Sequence, residues 1–231
     1  SKVCTARAST PRARIFSRAD RADALMDPSL RWAARGLPRS TRARRDPATH
    51  PTAADKRLVR AQRREERRRI AAARDLDADG PRLAAHVLDL LDRLGIGAGA
   101  TVTAYESTPI EPPTADLVAT LAARDVRVLV PITLPDLDLD WCDAGDPGRT
   151  PLGLDAVLAA DVVLAPGLSV DGGGTRLGQG GGCYDRVLAR LAAAGRGDVP
   201  VVTLLHPGEL LADPLPLEPH DRAVDAVVTA D

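Results

Sequence analysis

The chain predicts an α/β fold, a three-layer sandwich around a mainly parallel sheet, and three observations carry that prediction. Short apolar runs such as Thr101 to Tyr105, Val126 to Val130 and Asp161 to Ala165 alternate with segments of helical periodicity. That order places helices on both faces of a parallel sheet. The run Val162-Val163-Leu164 leads through Pro166-Gly167 into a glycine-rich stretch and then into the helical pattern Val187-Leu188-Leu191, a strand, loop and helix in succession. Hydrophobic residues make up 44% of the chain but aromatic ones only 2%, so the core must be built from Leu, Val and Ala.

Residues 1 to 52 are rich in Arg, Ala, Ser and Pro and show no apolar period of 3.6 or 2. Such a segment cannot bury enough surface to offset its ordering entropy, which predicts a disordered extension ahead of a folded unit over 53 to 231. Its arginines imitate an organellar transit peptide and suit nonspecific binding to nucleic acid; the plainer reading is an extension with no folded role. The 31 basic and 32 acidic residues nearly cancel, and no aromatic stacking residues accompany the arginines, so nucleic acid is not the expected partner. Cys4, Cys142 and Cys183 form no CxxC pair, which favours reduced thiols in a cytoplasm over a zinc or disulfide framework. No apolar run approaches the roughly 18 residues of a membrane span, and a cytoplasmic monomer is expected.

In chain order, Ala54 to Asp75 is composed of strong helix formers with Asp55 as a fair cap. Lys56 and Arg60 lie four apart and so project from one helix face. Lys2 and Lys56 are the chain's two lysines in a background of arginine, which makes Lys56 worth noting. Gly80 to Leu94 reads as a second helix, with Leu83, Val87, Leu90, Leu91 and Leu94 on one face. Thr101 to Tyr105 is a strand, Ser107 to Pro113 a loop at its carboxyl end, and Asp116 to Ala123 a helix. Val126 to Val130 is a strand closed by Pro131, and Leu137 to Trp141 is another. Leu152 to Ala160 leads into the buried strand Asp161 to Ala165. After the helix from Cys183 to Ala194 come a strand over Val199 to Leu205, a helical turn at Glu209 to Leu211, and a last strand over Val224 to Val228.

The candidate site centres on Leu177-Gly178-Gln179-Gly180-Gly181-Gly182-Cys183-Tyr184-Asp185, preceded by Gly172-Gly173-Gly174. Glycines let backbone N–H groups approach an anion, and the N-terminus of the helix that follows adds partial positive charge. The stretch is not a P-loop, because no Gly-Lys-Ser/Thr follows, and it is a poor dinucleotide fingerprint, because Cys183 occupies the third glycine position. Asp185, at the mouth of the helix, is a candidate metal ligand. His206 and His220 are lone histidines and are read as structural.

Pro166-Gly167-Leu168 with Asp171, followed by Arg176-Leu177-Gly178-x-Gly180-x-Gly182-x-Tyr184-Asp185, resembles the signature of the 5-formyltetrahydrofolate cyclo-ligase (methenyltetrahydrofolate synthetase) family. The likeness runs from about Lys56 to Val228. It implies ATP-driven closure of 5-formyltetrahydrofolate to 5,10-methenyltetrahydrofolate, with ADP and phosphate released and magnesium required. Lys56 and Arg60 match a helix Lys-x-x-x-Arg whose cations reach nucleotide phosphates. With Arg176 they are the expected catalytic cations, and Gly178, Gln179, Gly180, Gly181, Gly182, Cys183 and Tyr184 complete the nucleotide site. Glu111, in Glu-x-x-Thr, is implied at the folate substrate, with Glu106 beside it where the pattern usually has an apolar residue. Asp185 and Asp221, the latter from an Asp-x-x-Val-Asp element, are implied to hold magnesium. The sequence departs from the pattern at Gln179, usually Arg, at Cys183, usually Tyr, and in Cys142 to Thr150, shorter than the usual segment. The alternative is therefore a catalytically impaired homologue that binds nucleotide or folate.

Overall fold

The computed structural model describes residues 53–218 and 221–231. The expected disordered extension and His220 lie outside the described residues. Two helices open the fold, α1 (Ala53–Ala73) and α2 (Leu76–Arg93). Helix α2 begins four residues before the predicted start, because Asp75 caps it by accepting from the Ala78 N–H at 3.1 Å. Asp77 and Asp79 then favour the positive end of the helix dipole. Pro81 sits inside the second turn instead of marking the helix start.

Strand β1 (Thr101–Thr103), helix α3 (Ala115–Ala123), β2 (Arg127–Thr133) and β3 (Leu139–Asp143) follow. After a 3₁₀ turn at Leu154–Ala159 come β4 (Val162–Pro166), β5 (Ser169–Asp171), β6 (Arg176–Leu177), helix α4 (Cys183–Ala193), β7 (Val201–Leu204), β8 (Leu210–Leu211) and β9 (Ala226–Val228). The main sheet has the order β3-β2-β1-β4-β7-β9. All its pairings are parallel except β2 with β3.

The three layers follow from the period of two in the strands. Val128, Val130, Val162, Leu164, Val202 and Leu204 pack on one face against Leu83, Val87, Leu90 and Leu91 of α2 and Leu117 and Leu121 of α3. Leu129, Val163, Ala165, Val201 and Val227 pack on the other against Val187, Leu188 and Leu191 of α4.

Three expectations are corrected. Strand β2 continues through Pro131, which pairs with Trp141. β1 ends at Thr103, opposite Leu129, so no second neighbour asks Pro131 for an N–H. Glu209 to Leu211 is not a helical turn, since Leu210 and Leu211 pair in parallel with β5. The segment around Gly172 to Gly174 is a tight hairpin, with β5 and β6 antiparallel.

Chain order places the site. From β1 the chain moves outward to β2 and β3, then returns to lay β4 on the other side of β1 and moves outward the opposite way. The carboxyl ends of β1 and β4 therefore diverge at a topological switch point, where open α/β sheets form their ligand crevice.

Candidate active site

A cleft of about 490 Å³ opens at this switch point. Tyr105 and Glu106 reach it from beyond β1, Pro131 and Thr133 from β2, and Pro166 and Gly167 from the end of β4. Every residue expected at the site lines this one cleft: Lys56 and Arg60 from α1, Arg176 from β6, Gly178 through Asp185, Glu106, Glu111 and Asp221.

Helix α1 enters the site with an inverted polarity. Its inward stripe runs Lys56, Arg60, Arg64, Arg67 and Ala71, spaced by a helical turn. Lys56, Arg67 and Ala71 are buried, Arg60 and Arg64 half-buried, while Leu58 is 61% exposed. Lys56 donates to Glu218 and Asp221, both at 2.6 Å. Arg60 donates to the Gly178 carbonyl at 3.2 Å, and Arg64 to the Gln179 carbonyl at 2.6 Å and its side-chain oxygen at 3.0 Å. Arg67 makes a two-point pair with Glu209, both bonds 2.7 Å, and lies 4.0 Å from Glu111.

Glycine is required where the loop turns. Gly180 has φ +110° and Gly182, the N-cap of α4, has φ +71°, backbone regions that strain other residues. No side chain caps α4. Its first N–H groups therefore keep the capacity to meet an anion. Gly167 permits close packing, since a Cβ there would lie 3.0 Å from the Thr203 methyl.

Arg176 is held from three sides. It donates to the Pro166 carbonyl at 3.0 Å and to Asp185 at 2.8 Å, and its guanidinium lies 5.7 Å over the Tyr184 ring. The hydroxyls of Tyr184 and Tyr105 are buried and have no hydrogen-bond partner among the described residues. Burial pushes both phenols above their ordinary range. Glu111 accepts from the Thr108 N–H at 2.9 Å, which shapes the loop after β1. Glu106 is drawn to Arg149 at 2.8 Å, so the shorter 142 to 150 segment supplies a cation that balances it.

The two implied magnesium ligands are paired with cations, Asp185 with Arg176 and Asp221 with Lys56. Among the described residues no three His, Cys, Asp or Glu side chains cluster as a metal cage. Sequence reading missed Glu218, Arg64, Arg67 with Glu209, Arg149 and Tyr105. The 56-60-64-67 spacing was a signal for two of them; Glu218, three residues before Asp221, lay next to a residue already chosen.

A sequence profile described as the 5-formyltetrahydrofolate cyclo-ligase family matches residues 52–230. The chain belongs to that family. Among its relatives is the 5-formyltetrahydrofolate cyclo-ligase of Mycolicibacterium smegmatis, 36% identical over 149 residues, covering 57% of this chain and 74% of that one. The cyclo-ligase of Saccharomyces cerevisiae is 40% identical over 72 residues, 31% of this chain and 34% of that one. The fold of a 5,10-methenyltetrahydrofolate synthetase from Mycoplasma pneumoniae is similar, with TM-score 0.61 and 20% identity over 77% of this chain and 99% of that one. The synthetase of Aquifex aeolicus gives TM-score 0.51 and 19% identity, over 76% and 87%. The matched region contains the α1 cations, the glycine loop and the C-terminal acidic element together.

Proposed function

We propose that this cyclo-ligase family member converts 5-formyltetrahydrofolate to 5,10-methenyltetrahydrofolate, consuming ATP and releasing ADP and phosphate. The observation that carries this reading is the convergence of Lys56, Arg60, Arg176 and the glycine loop with Glu111 in one cleft at the sheet's switch point.

Phosphoryl transfer asks a protein for positioning and charge neutralisation more than for a nucleophile. Lys56, Arg60 and Arg176 supply the positive charge. The backbone around Gly180 to Gly182 and the uncapped start of α4 supply N–H donors. Lys56 is held by Glu218 and Asp221 until a phosphate competes for it. Glu111 orients the folate, and Tyr105 and Tyr184 bring hydroxyls that have no partner among the described residues. Magnesium, when bound, neutralises phosphate charge. Asp185 and Asp221 fit it, because nucleotide-bound magnesium takes one or two carboxylates together with phosphate oxygens rather than a cage made by the protein alone.

Among the described residues Cys142 and Cys183 are free thiols, which fits the cytoplasm, and no helix is long and apolar enough to cross a membrane. The test is one cuvette holding protein, 5-formyltetrahydrofolate, ATP and magnesium. Growth of the near-ultraviolet band of the methenyl product, dependent on ATP, is expected. Its absence, with ATP binding intact by calorimetry, would identify an impaired binding homologue.

A further inference from the structure

Arg64 lies one helical turn beyond Arg60, so the two guanidiniums leave the same face of α1. They hold consecutive carbonyls of the glycine loop, Gly178 by Arg60 and Gln179 by Arg64. Arg64 does more than hold backbone, because its Nε also donates to the side-chain oxygen of Gln179 at 3.0 Å. Its contacts go to the loop and to no carboxylate among the described residues.

This pairing decides which way the Gln179 amide is oriented. A guanidinium has five donors and no acceptor, so the amide must present its oxygen to Arg64, and the hydrogens of Nε2 are left as the side chain's remaining polar group. Those hydrogens have no protein acceptor among the described residues, and Gln179 lines the cleft whereas Arg64 does not. Gln179 is flanked by Gly178 and Gly180, the latter at φ +110°, and a glycine-rich loop loses much conformational freedom on ordering. A side-chain donor in such a loop is useful only if something outside the loop fixes it.

We propose that Arg64 is a positioning residue for phosphoryl transfer, locking Gln179 so that its Nε2 amide is a preorganised donor to a phosphate oxygen in the cleft. The proposal rests on the nucleotide reading of the cleft given above. A donor already aimed where charge develops needs no reorganisation during the reaction.

The test is a double-mutant cycle in the full chain: Arg64→Ala, Gln179→Met and the double variant, with kcat and KM for ATP measured by the methenyl absorbance and folding checked by thermal midpoint. Arg64 is half-buried on the loop side of α1, and Arg64→Ala keeps helix propensity, so all three variants should melt close to the parent. Each single change should lower kcat/KM for ATP by about tenfold, much of it in kcat, the size of one charge-assisted contact. The double variant should be no worse than the worse single, because the two residues act as one unit. Multiplying losses would overturn the proposal by showing that Arg64 and Gln179 act independently, as would parental kcat and KM in Arg64→Ala. If the parent itself neither binds ATP nor forms product, the nucleotide reading fails and this proposal with it. Parental activity lost in Lys56→Ala but kept in Arg64→Ala overturns the role of Arg64 alone.

Discussion

Helices α1 and α2 follow one another and share a period, yet they bury opposite chemistry. Helix α2 turns Leu83, Val87, Leu90 and Leu91 inward and is held by apolar contact with the sheet. Helix α1 turns Lys56 and Arg67 inward with Arg60 and Arg64 partly covered, and leaves Leu58 to water. Its side-chain bonds go to Glu218, Asp221, Glu209 and the glycine loop. A helix docked by charge on segments that build a cleft is part of the site, whereas a helix docked by leucines is scaffold. The difference teaches that amphipathicity alone does not reveal which face of a helix is inside.

The largest expected effect sits at the charged dock. Glu209→Ala strands the buried guanidinium of Arg67 and should cost about 3–5 kcal/mol in urea unfolding. Leu90→Ala, its counterpart in α2, should cost about 2–5 kcal/mol through lost burial and a residual cavity. A loss under about 1 kcal/mol for Glu209→Ala would mean that α1 is not held by its charges, and the contrast would collapse. Next comes Lys56→Ala, which should weaken ATP binding about tenfold to a hundredfold by calorimetry while the protein stays folded. Leu83→Ala in α2 should do the reverse, lowering stability and leaving ATP affinity near the parent's.

The scaffold was legible because its signal is local. Strands at β1, β2, β4, β7 and β9 and the apolar stripe of α2 follow from alternation and period within a few residues. The failures share a cause, since each depended on a distant partner. Pro131 stays in a strand because β1 stops short of it. Leu210 and Leu211 become a strand because β5 passes beside them. Arg67 is buried because Glu209 lies across from it, 142 residues on, and no rule about arginine on a helix foretells that. The expected site residues came from the glycine spacing and the family resemblance, whereas Tyr105 and Glu218, which line the same cleft, were missed. Lys56 was visible as a cation, its bonds to Glu218 and Asp221 only in the fold.

Acid should separate the two kinds of packing more gently. His206, buried beside Glu209, is held below its ordinary value near 6.5, chiefly by burial. The Ile110 carbonyl can only accept, so Nε2 of the neutral ring carries the proton. The unfolded chain takes up that proton first as pH falls, so stability present above about 6.5 should decline on acidification just below it. Asp79 is held below the usual carboxylate range, chiefly by its hydrogen bonds to Arg74. Its contribution is complete above the unfolded carboxylate value and is lost as pH falls through the folded one. Thermal midpoint against pH should therefore fall in two steps, with His206→Gln removing the upper step and Asp79→Asn shrinking the lower, which Asp138 and Asp143 share through Arg190 and Arg127. A single step unchanged by either variant would assign acid sensitivity to other groups.

The smallest effect is predicted where α1 looks most like an ordinary amphipathic helix. Leu58 is its exposed leucine, at 61%, and a helix held by apolar contact would not leave its leucine outside while burying the lysine two residues earlier. Leu58→Gln keeps helix propensity nearly unchanged and removes little buried surface, so the change in stability should stay within about 0.5 kcal/mol. ATP affinity should not move either, because residues two apart leave a helix on different faces and Leu58 does not line the cleft. The same exchange at Val87, fully buried in α2, would place an amide in the apolar core and should cost several times as much. If Leu58→Gln instead lowered the midpoint by several degrees, Leu58 would be covered in solution, and α1 would be an apolar dock after all, with its inward cations secondary to what lies on its outer face.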